Sequence, residues 1–142
     1  MSSAVSSRPL AAFVRTVLPA AIAAAVAVLV AYFLFDMAGA DYTVTMSGSQ
    51  STVNAPMAGI MTLLMTLVGG GIALVIARRT ARPGRTFVLL VALAIVVMAA
   101  GPLTSAHQGL TIAALEVLHL IAAATVLLIV LPRLGNSRTA SS

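Results

Sequence analysis

The chain has 142 residues, of which 61% are hydrophobic and only 8% are charged, and its formal net charge is +5. Because soluble domains carry about 25% charged residues, this composition excludes an ordinary soluble fold and predicts a protein surrounded by lipid. The absence of cysteine excludes disulfides and thiolate metal sites.

Four apolar runs follow one another along the chain, and each can cross a hydrocarbon core of about 30 Å at about 1.5 Å per residue. They cover residues 16–35, 57–77, 86–103 and 110–131. A backbone in lipid must satisfy its own hydrogen bonds, so the runs are predicted to be helices. The predicted fold is an all-α membrane protein, an up-down bundle of four transmembrane helices over residues 16–132, with polar tails at 1–15 and 133–142.

The first run also has some features of a signal peptide. Arg8 and Arg15 precede it, and the small residues Ala38-Gly39-Ala40 follow it, so cleavage after Ala40 is an alternative. The apolar region of a signal peptide is about 7–15 residues long, shorter than this run. An uncleaved first helix is therefore the favoured interpretation.

The segment at 36–56 connects the first two helices. Residues 42–46 alternate in polarity, 47–50 are turn-like, and 51–54 are short, polar and β-branched, which predicts a β-hairpin. A lone hairpin is marginally stable in water, so we expect it to rest on the helix ends. It could act as a lid or a partner surface, but a simple tether is favoured.

Prolines and glycines mark the remaining boundaries. Pro56 precedes the second run, Pro83-Gly84 lead into the third, and Gly101-Pro102 are expected to stop it. Pro132 is expected to stop the fourth helix. The turn at 104–109 is interpreted as a helix stop followed by a cap.

All basic residues are arginines, and they occupy alternate gaps between the apolar runs. They are Arg8, Arg15, Arg78, Arg79, Arg82, Arg85, Arg133 and Arg138. The positive-inside rule then predicts that both termini and the 78–85 loop are cytoplasmic, and that 36–56 and 104–109 face outward. The arginines are interpreted as anchors at an anionic leaflet rather than as a nucleic-acid patch.

Small residues at spacing four predict where helices approach closely, because lipid gives helices little hydrophobic reason to associate. The predicted packing residues are Ala23, Ala27 and Ala31 in the first helix and Gly69, Ala73 and Ala77 in the second. The triple glycine at 69–71 is interpreted as close packing rather than a hinge. The same faces could form a homodimer or a larger membrane complex.

Glu116 and His119 are ionisable residues inside the fourth apolar run. Residues three apart share a helix face, so His119 is predicted to donate a hydrogen bond to Glu116 or to share a proton with it. An intramembrane ionisable group is by default a candidate functional site. Further polar candidates for this interior are Thr62, Thr66, Thr111 and Thr125.

Several roles fit this pair. A proton relay would use Glu116 as acceptor and His119 as shuttle, since histidine titrates near neutral pH. A carboxylate-bridged di-iron site needs two Glu-x-x-His motifs and two further glutamates, which one chain with a single glutamate lacks. A haem would need His119 with His107, about 18 Å away along the chain, or with a symmetry mate. The favoured role is a neutral pair that holds the bundle together.

The layout resembles a group of small actinobacterial membrane proteins known only as a domain of unknown function, the DUF6069 type. The resemblance covers residues 12–134 and is carried by Tyr42-Thr43-Val44, by Gly101-Pro102-Leu103 and by the closing segment 118–132, where His119 matches a His-Leu element. It implies a bacterial plasma membrane and carries over no activity. Small multidrug exporters differ, since their essential glutamate lies in the first helix.

The favoured function is therefore a non-catalytic structural or accessory membrane component, with no cofactor and no metal. A small proton-coupled transporter that uses Glu116 and His119 is the first alternative. A haem- or metal-binding membrane protein is the second. Hydrolase chemistry has little support, because the spacing of serine, histidine and acid suggests no catalytic triad.

Overall fold

The computed structural model describes residues 7–46 and 48–135, with side chains for 15–45 and 48–134. Over those residues the chain forms four helices and one two-stranded sheet. The elements are α1 (Ser7–Met37), β1 (Thr43–Met46), β2 (Ser49–Thr52), α2 (Ala55–Arg78), α3 (Pro83–Ser105) and α4 (Gly109–Gly135). All four helices are long and apolar enough to span a membrane. The predicted fold class, including the hairpin between the first two helices, is confirmed.

α1 begins at Ser7, well before the start predicted at residue 16. The segment ahead of the apolar run includes Leu10, Ala11 and Ala12, which are good helix formers, and Pro9 in the first turn, where its missing N–H costs little. The helix therefore continues outward from the spanning stretch, which begins at Arg15.

Two prolines expected to stop helices lie inside them instead. Pro102 is in α3, which ends at Ser105, and Pro132 is in α4, which ends at Gly135. A proline near a helix end removes one backbone hydrogen bond, and side chains can satisfy nearby carbonyls. In α3 the Ser105 hydroxyl donates to the carbonyl of Gly101 at 2.7 Å.

The hairpin has a two-residue connection, so it is tighter than predicted. Thr43 pairs with Thr52 at its open end, and Met46 pairs with Ser49 beside the connection. Gly48 has φ +82°, a left-handed conformation that glycine adopts without steric cost. Asn54 then caps α2, since its side-chain oxygen accepts from the N–H of Met57 at 2.9 Å.

The helices follow an up-down course in which α1 packs against α2 and α4. α3 packs mainly on α4 and makes fewer contacts with α2. We call the end with the β1–β2 hairpin the hairpin end, and the opposite end the arginine end. α1 is the most buried spanning stretch and α3 the least. The bundle is therefore closed around α1 and looser between α2 and α3.

Two apolar clusters hold the bundle. The cluster at the arginine end includes Val17, Ala20, Ala24, Ala73, Leu74, Ala77, Phe87, Val126 and Val130. The cluster at the hairpin end includes Val28, Ala31, Tyr32, Tyr42, Ala114 and Leu118. Both clusters draw on α1 and α4, so the contact between these two helices runs the length of the bundle.

The predicted packing residues are not equally buried. Ala31, Ala73 and Ala77 are buried, and Ala23 and Ala27 are half-buried. On α1 the tightest packing is at Ala20, Ala21 and Ala24, each 0% exposed. Ala20 and Ala24, on the ridge next to the Ala23 row, share one apolar cluster with Ala73 of α2 and Val126 of α4, so this ridge meets both helices.

Gly69 does not pack closely, contrary to the prediction. A methyl group added there would meet nothing within 4 Å, whereas one added at Gly59 would lie 3.2 Å from the side chain of Leu29. Gly69 instead lines the open region beside α3. Gly59 therefore takes the close-approach role on α2, since a methyl group there would force Leu29 to move.

The arginines with described side chains lie at one end of the bundle, and all are exposed. They are Arg15, Arg78, Arg79, Arg82, Arg85 and Arg133. Arg133 donates from its guanidinium to the backbone carbonyl of Arg15 and, at 3.4 Å, to that of Thr16. It therefore joins the last helix to the first. The Arg8 side chain and Arg138 lie outside the described part.

Replacing Ala24 by leucine should destabilise the bundle by about 1–3 kcal/mol, because no space exists for the added methylenes. Thermal unfolding of the purified protein in detergent, followed by circular dichroism, would measure this. Ala92→Leu is the matched control, since Ala92 is exposed on α3. Equal stability of the two variants would contradict close packing at Ala24.

Candidate functional site

α4 carries Glu116 and His119 into the apolar part of the bundle. At about 1.5 Å per residue, His119 lies about 15 Å from the helix start at the hairpin end, close to mid-bilayer. Oε1 of Glu116 and Nδ1 of His119 are both buried and have no hydrogen-bond partner among the described residues. The predicted bond between them is therefore not formed. Residues three apart on a helix differ by about 60° in direction, so the two side chains can face different neighbours.

His119 lines a cavity of about 480 Å³ between α2, α3 and α4. The cavity lies where α2 and α3 pack loosely, and its lining is mostly apolar. Ser105, Thr62 and Thr66 are the other polar residues that line it. Glu116 is not among the lining residues. The arrangement therefore offers one imidazole, and no acid, to whatever occupies the cavity.

Methionine is prominent in this lining. Met57, Met61 and Met65 follow one another at spacing four along α2, and Met98 faces the same space from α3. Methionine side chains are flexible and polarisable, so they adapt to an irregular space and can supply thioether sulfur. The spacing of the three on α2 is visible in the sequence, whereas only the packing of α2 against α3 brings Met98 to the same space.

The threonines predicted to surround the pair do not bond to it. Thr62 donates to the carbonyl of Ala58, and Thr125 to that of Ile121, each at 2.8 Å and one turn back along its own helix. The Thr111 hydroxyl lies 2.9 Å from Oδ1 of Asp41 at the hairpin end, and Thr66 lines the cavity. Hydroxyl groups in helices commonly satisfy themselves in this way, which leaves Glu116 and His119 without side-chain partners.

His107 lies beside the hairpin, remote from His119. Its Nε2 is 2.9 Å from the hydroxyl of Thr45, and the adjacent Ala106 forms a β-bridge with Val44. His107 therefore fixes the hairpin to the segment between α3 and α4. The described residues include no group of three or more His, Cys, Asp or Glu that could hold a metal ion.

A polar network that the sequence did not reveal fastens the hairpin to α4. The N–H of Thr43 donates to Oδ1 of Asp41 at 2.9 Å, and the Thr111 hydroxyl lies 2.9 Å from the same oxygen. The hydroxyl is also 2.7 Å from Oε1 of Gln108, which accepts from the N–H of Asp41 at 3.2 Å. The Thr43 and Thr111 hydrogen bonds lower the pKa of Asp41 below its usual value. The partners are about 70 residues apart in sequence, so local pattern gives no sign of them.

Tyr42 anchors the same region from inside. Its ring is 1% exposed and stacks on Tyr32 with centroids 4.1 Å apart. Its hydroxyl donates to the carbonyl of Tyr32, and the Tyr32 hydroxyl donates to the carbonyl of Val53, both at 2.9 Å. Tyr42 has φ +53°, an unfavourable conformation for a bulky residue, which the buried ring and its hydrogen bond maintain. Burial raises the pKa of Tyr42 to about 12, so the hydroxyl remains a donor.

A family described as a family of unknown function (DUF6069) matches residues 8–136. No curated protein and no solved structure matches the chain. The family match covers all four helices and the hairpin, as the resemblance implied.

Acid should loosen the hairpin end. Because the pKa of Asp41 is lowered on folding, its contribution to stability is present above its unfolded value of 3.8 and is lost as the pH falls through the folded value. We expect the melting temperature in detergent to hold down to about pH 5 and to fall as the pH drops below about 4, through the lowered pKa of Asp41. This fall should be smaller in Asp41→Asn, which cannot titrate. Asp36→Asn, outside this network, is the control, and an unchanged fall in Asp41→Asn would contradict the assignment.

Proposed function

Because the chain belongs to DUF6069, a family whose description assigns no activity, we propose its function from its own residues. It is a non-catalytic component of the membrane that binds a ligand or a partner in the cavity between α2 and α3. The observation that supports this is the pair of buried, unpartnered polar atoms, Oε1 of Glu116 and Nδ1 of His119, where His119 itself lines the cavity.

The unpartnered atoms favour binding over a purely structural pair. A buried polar group without a hydrogen bond costs about 1–3 kcal/mol. A Glu116–His119 pair that held the bundle together would form its own hydrogen bond, and this pair does not. Polar groups that are kept although they destabilise the free protein are typical of sites where a ligand or a partner supplies the missing hydrogen bonds.

The cavity suits binding more than catalysis. His119 is the one ionisable residue among its described lining residues, and the others are mostly apolar. General acid–base chemistry uses a second positioned group or a bound water chain, which an apolar lining does not favour. The opening between α2 and α3 would admit a ligand from the bilayer itself.

Replacing Glu116 or His119 by an apolar residue should not lower the stability of the free protein. We expect His119→Leu and Glu116→Leu to melt at the same temperature as the wild type or higher, because each replaces an unsatisfied buried group with an apolar one. Tyr42→Phe is the contrasting variant. It removes a satisfied buried hydroxyl and should cost about 0.5–1.5 kcal/mol.

Thermal unfolding in detergent distinguishes these outcomes. A loss in both Leu variants larger than that of Tyr42→Phe would show that the pair supports the fold, and the binding proposal would be wrong. Unchanged stability would leave binding as the reason for keeping two polar groups in the membrane.

A proton-coupled carrier is the second candidate, because His119 lies close to mid-bilayer and lines a cavity. It makes a separate prediction: reconstituted vesicles would move protons, and Glu116→Gln would abolish the flux in a folded protein. The apolar lining gives this candidate less support, since protons need a chain of polar groups or water.

We also propose that the arginine end is cytoplasmic and the hairpin end faces outward, as the positive-inside rule requires. The chain has no cysteine, so a single introduced cysteine is the only thiol that a labelling reagent can modify. In intact bacterial cells, a membrane-impermeant maleimide should label Ser49→Cys on the hairpin and should label Thr80→Cys only after the membrane is opened. The reverse pattern would invert the topology.

A further inference from the structure

The cavity beside His119 concentrates sulfur. The chain has seven methionines, and four of them, Met57, Met61, Met65 and Met98, line this one space. The three on α2 recur every fourth residue, which keeps them on one helix face. Each remains partly exposed, so no tight core packing occupies these side chains.

Counted along their own helices, the donors also lie at similar distances from the hairpin-end termini of α2, α3 and α4. Met65 on α2 and His119 on α4 both lie about 15 Å from the hairpin-end start of their helices. Met61 lies about 9 Å from the start of α2, and Met98 lies about 10 Å from the hairpin-end terminus of α3. Three helices therefore contribute sulfur or nitrogen donors to this one cavity.

We propose that this cavity binds a copper(I) ion through the thioether sulfurs of Met61, Met65 and Met98 and through Nε2 of His119. Thioether sulfur is a soft ligand that selects Cu(I), and imidazole suits copper as well. Ca²⁺ and Mg²⁺ need several oxygen ligands, which this apolar lining lacks. The inference rests on the proposed function and names the ligand of the same site.

Glu116 is the positioning residue of this site. A histidine that binds a metal through one ring nitrogen usually donates from the other to a carboxylate, which orients the ring. Nδ1 of His119 and Oε1 of Glu116 are an unpartnered nitrogen and an unpartnered oxygen, three residues apart on α4. A hydrogen bond between them satisfies both atoms, and the carboxylate offsets the single positive charge of Cu(I).

The alternative is that the methionines only fill space against lipid chains. Methionine-to-leucine substitution distinguishes copper binding from space filling, because leucine keeps the apolar volume and removes the sulfur. Met37 offers a matched control: it is 85% exposed at the end of α1 and does not line the cavity.

The experiment is a competition for Cu(I) between the purified full chain in detergent and a colorimetric Cu(I) chelator, under ascorbate and without oxygen. We expect one Cu(I) per chain, with affinity lowered at least tenfold by Met65→Leu and by His119→Leu and unchanged by Met37→Leu. Glu116→Gln, which keeps a hydrogen-bond acceptor, should lose less affinity than Glu116→Leu. X-ray absorption of the bound copper should show sulfur and nitrogen ligands.

Copper binding that is absent from the wild type, or equal in the wild type, Met65→Leu and Met37→Leu, would overturn the copper assignment. Melting temperatures of the same samples separate this from a failure of the proposed function. If Cu(I) does not bind while His119→Leu and Glu116→Leu stay as stable as the wild type, the cavity remains a binding site for another ligand. If both Leu variants are strongly destabilised, the pair is structural and both proposals fail.

Discussion

Hydrocarbon offers no hydrogen-bond partners, and this constraint governs the whole molecule. It forces the chain into helices whose backbones satisfy themselves, and it confines the charged side chains at both ends to the boundary with water. Within the spans, the hydroxyls of Thr62 and Thr125 donate to backbone carbonyls of their own helices. Glu116 and His119 each keep a buried polar atom without a partner among the described residues, so they depart from this constraint, and the binding proposal rests on that departure.

The two ends of the bundle are held by different contacts. At the hairpin end, Tyr42 and the Asp41 network join the hairpin to α1 and α4. At the arginine end, Arg133 joins α4 to α1. These links all involve α1 or α4. Among the residues that the structure describes, no hydrogen bond joins α2 directly to α3 at the hairpin end, and the space between these helices remains open.

The sequence predicted the features that depend on one segment at a time: the four spans, the hairpin, and Glu116 and His119 within the last helix. Its errors have two sources, the local tolerance of helix ends for proline and the packing of distant residues. Pro102 and Pro132 did not end their helices, because hydrogen bonding near a helix end tolerates one missing donor. Gly69 did not pack, since it faces the open cavity and a methyl group there would meet nothing within 4 Å. The row of Met57, Met61 and Met65 can be read from the sequence, but the approach of Met98 and the Asp41–Thr111 contact are products of tertiary packing.

The extensive contact between α1 and α4 has a consequence for biosynthesis. α1 leaves the ribosome first and α4 last, yet Val17 and Ala24 share one core cluster with Val126 and Val130. The first helix therefore waits in the membrane with one side uncovered until the fourth has been inserted. α1 can pack on α2 before then, so the side of α1 that faces α4 is the part that stays open to other membrane proteins during that interval.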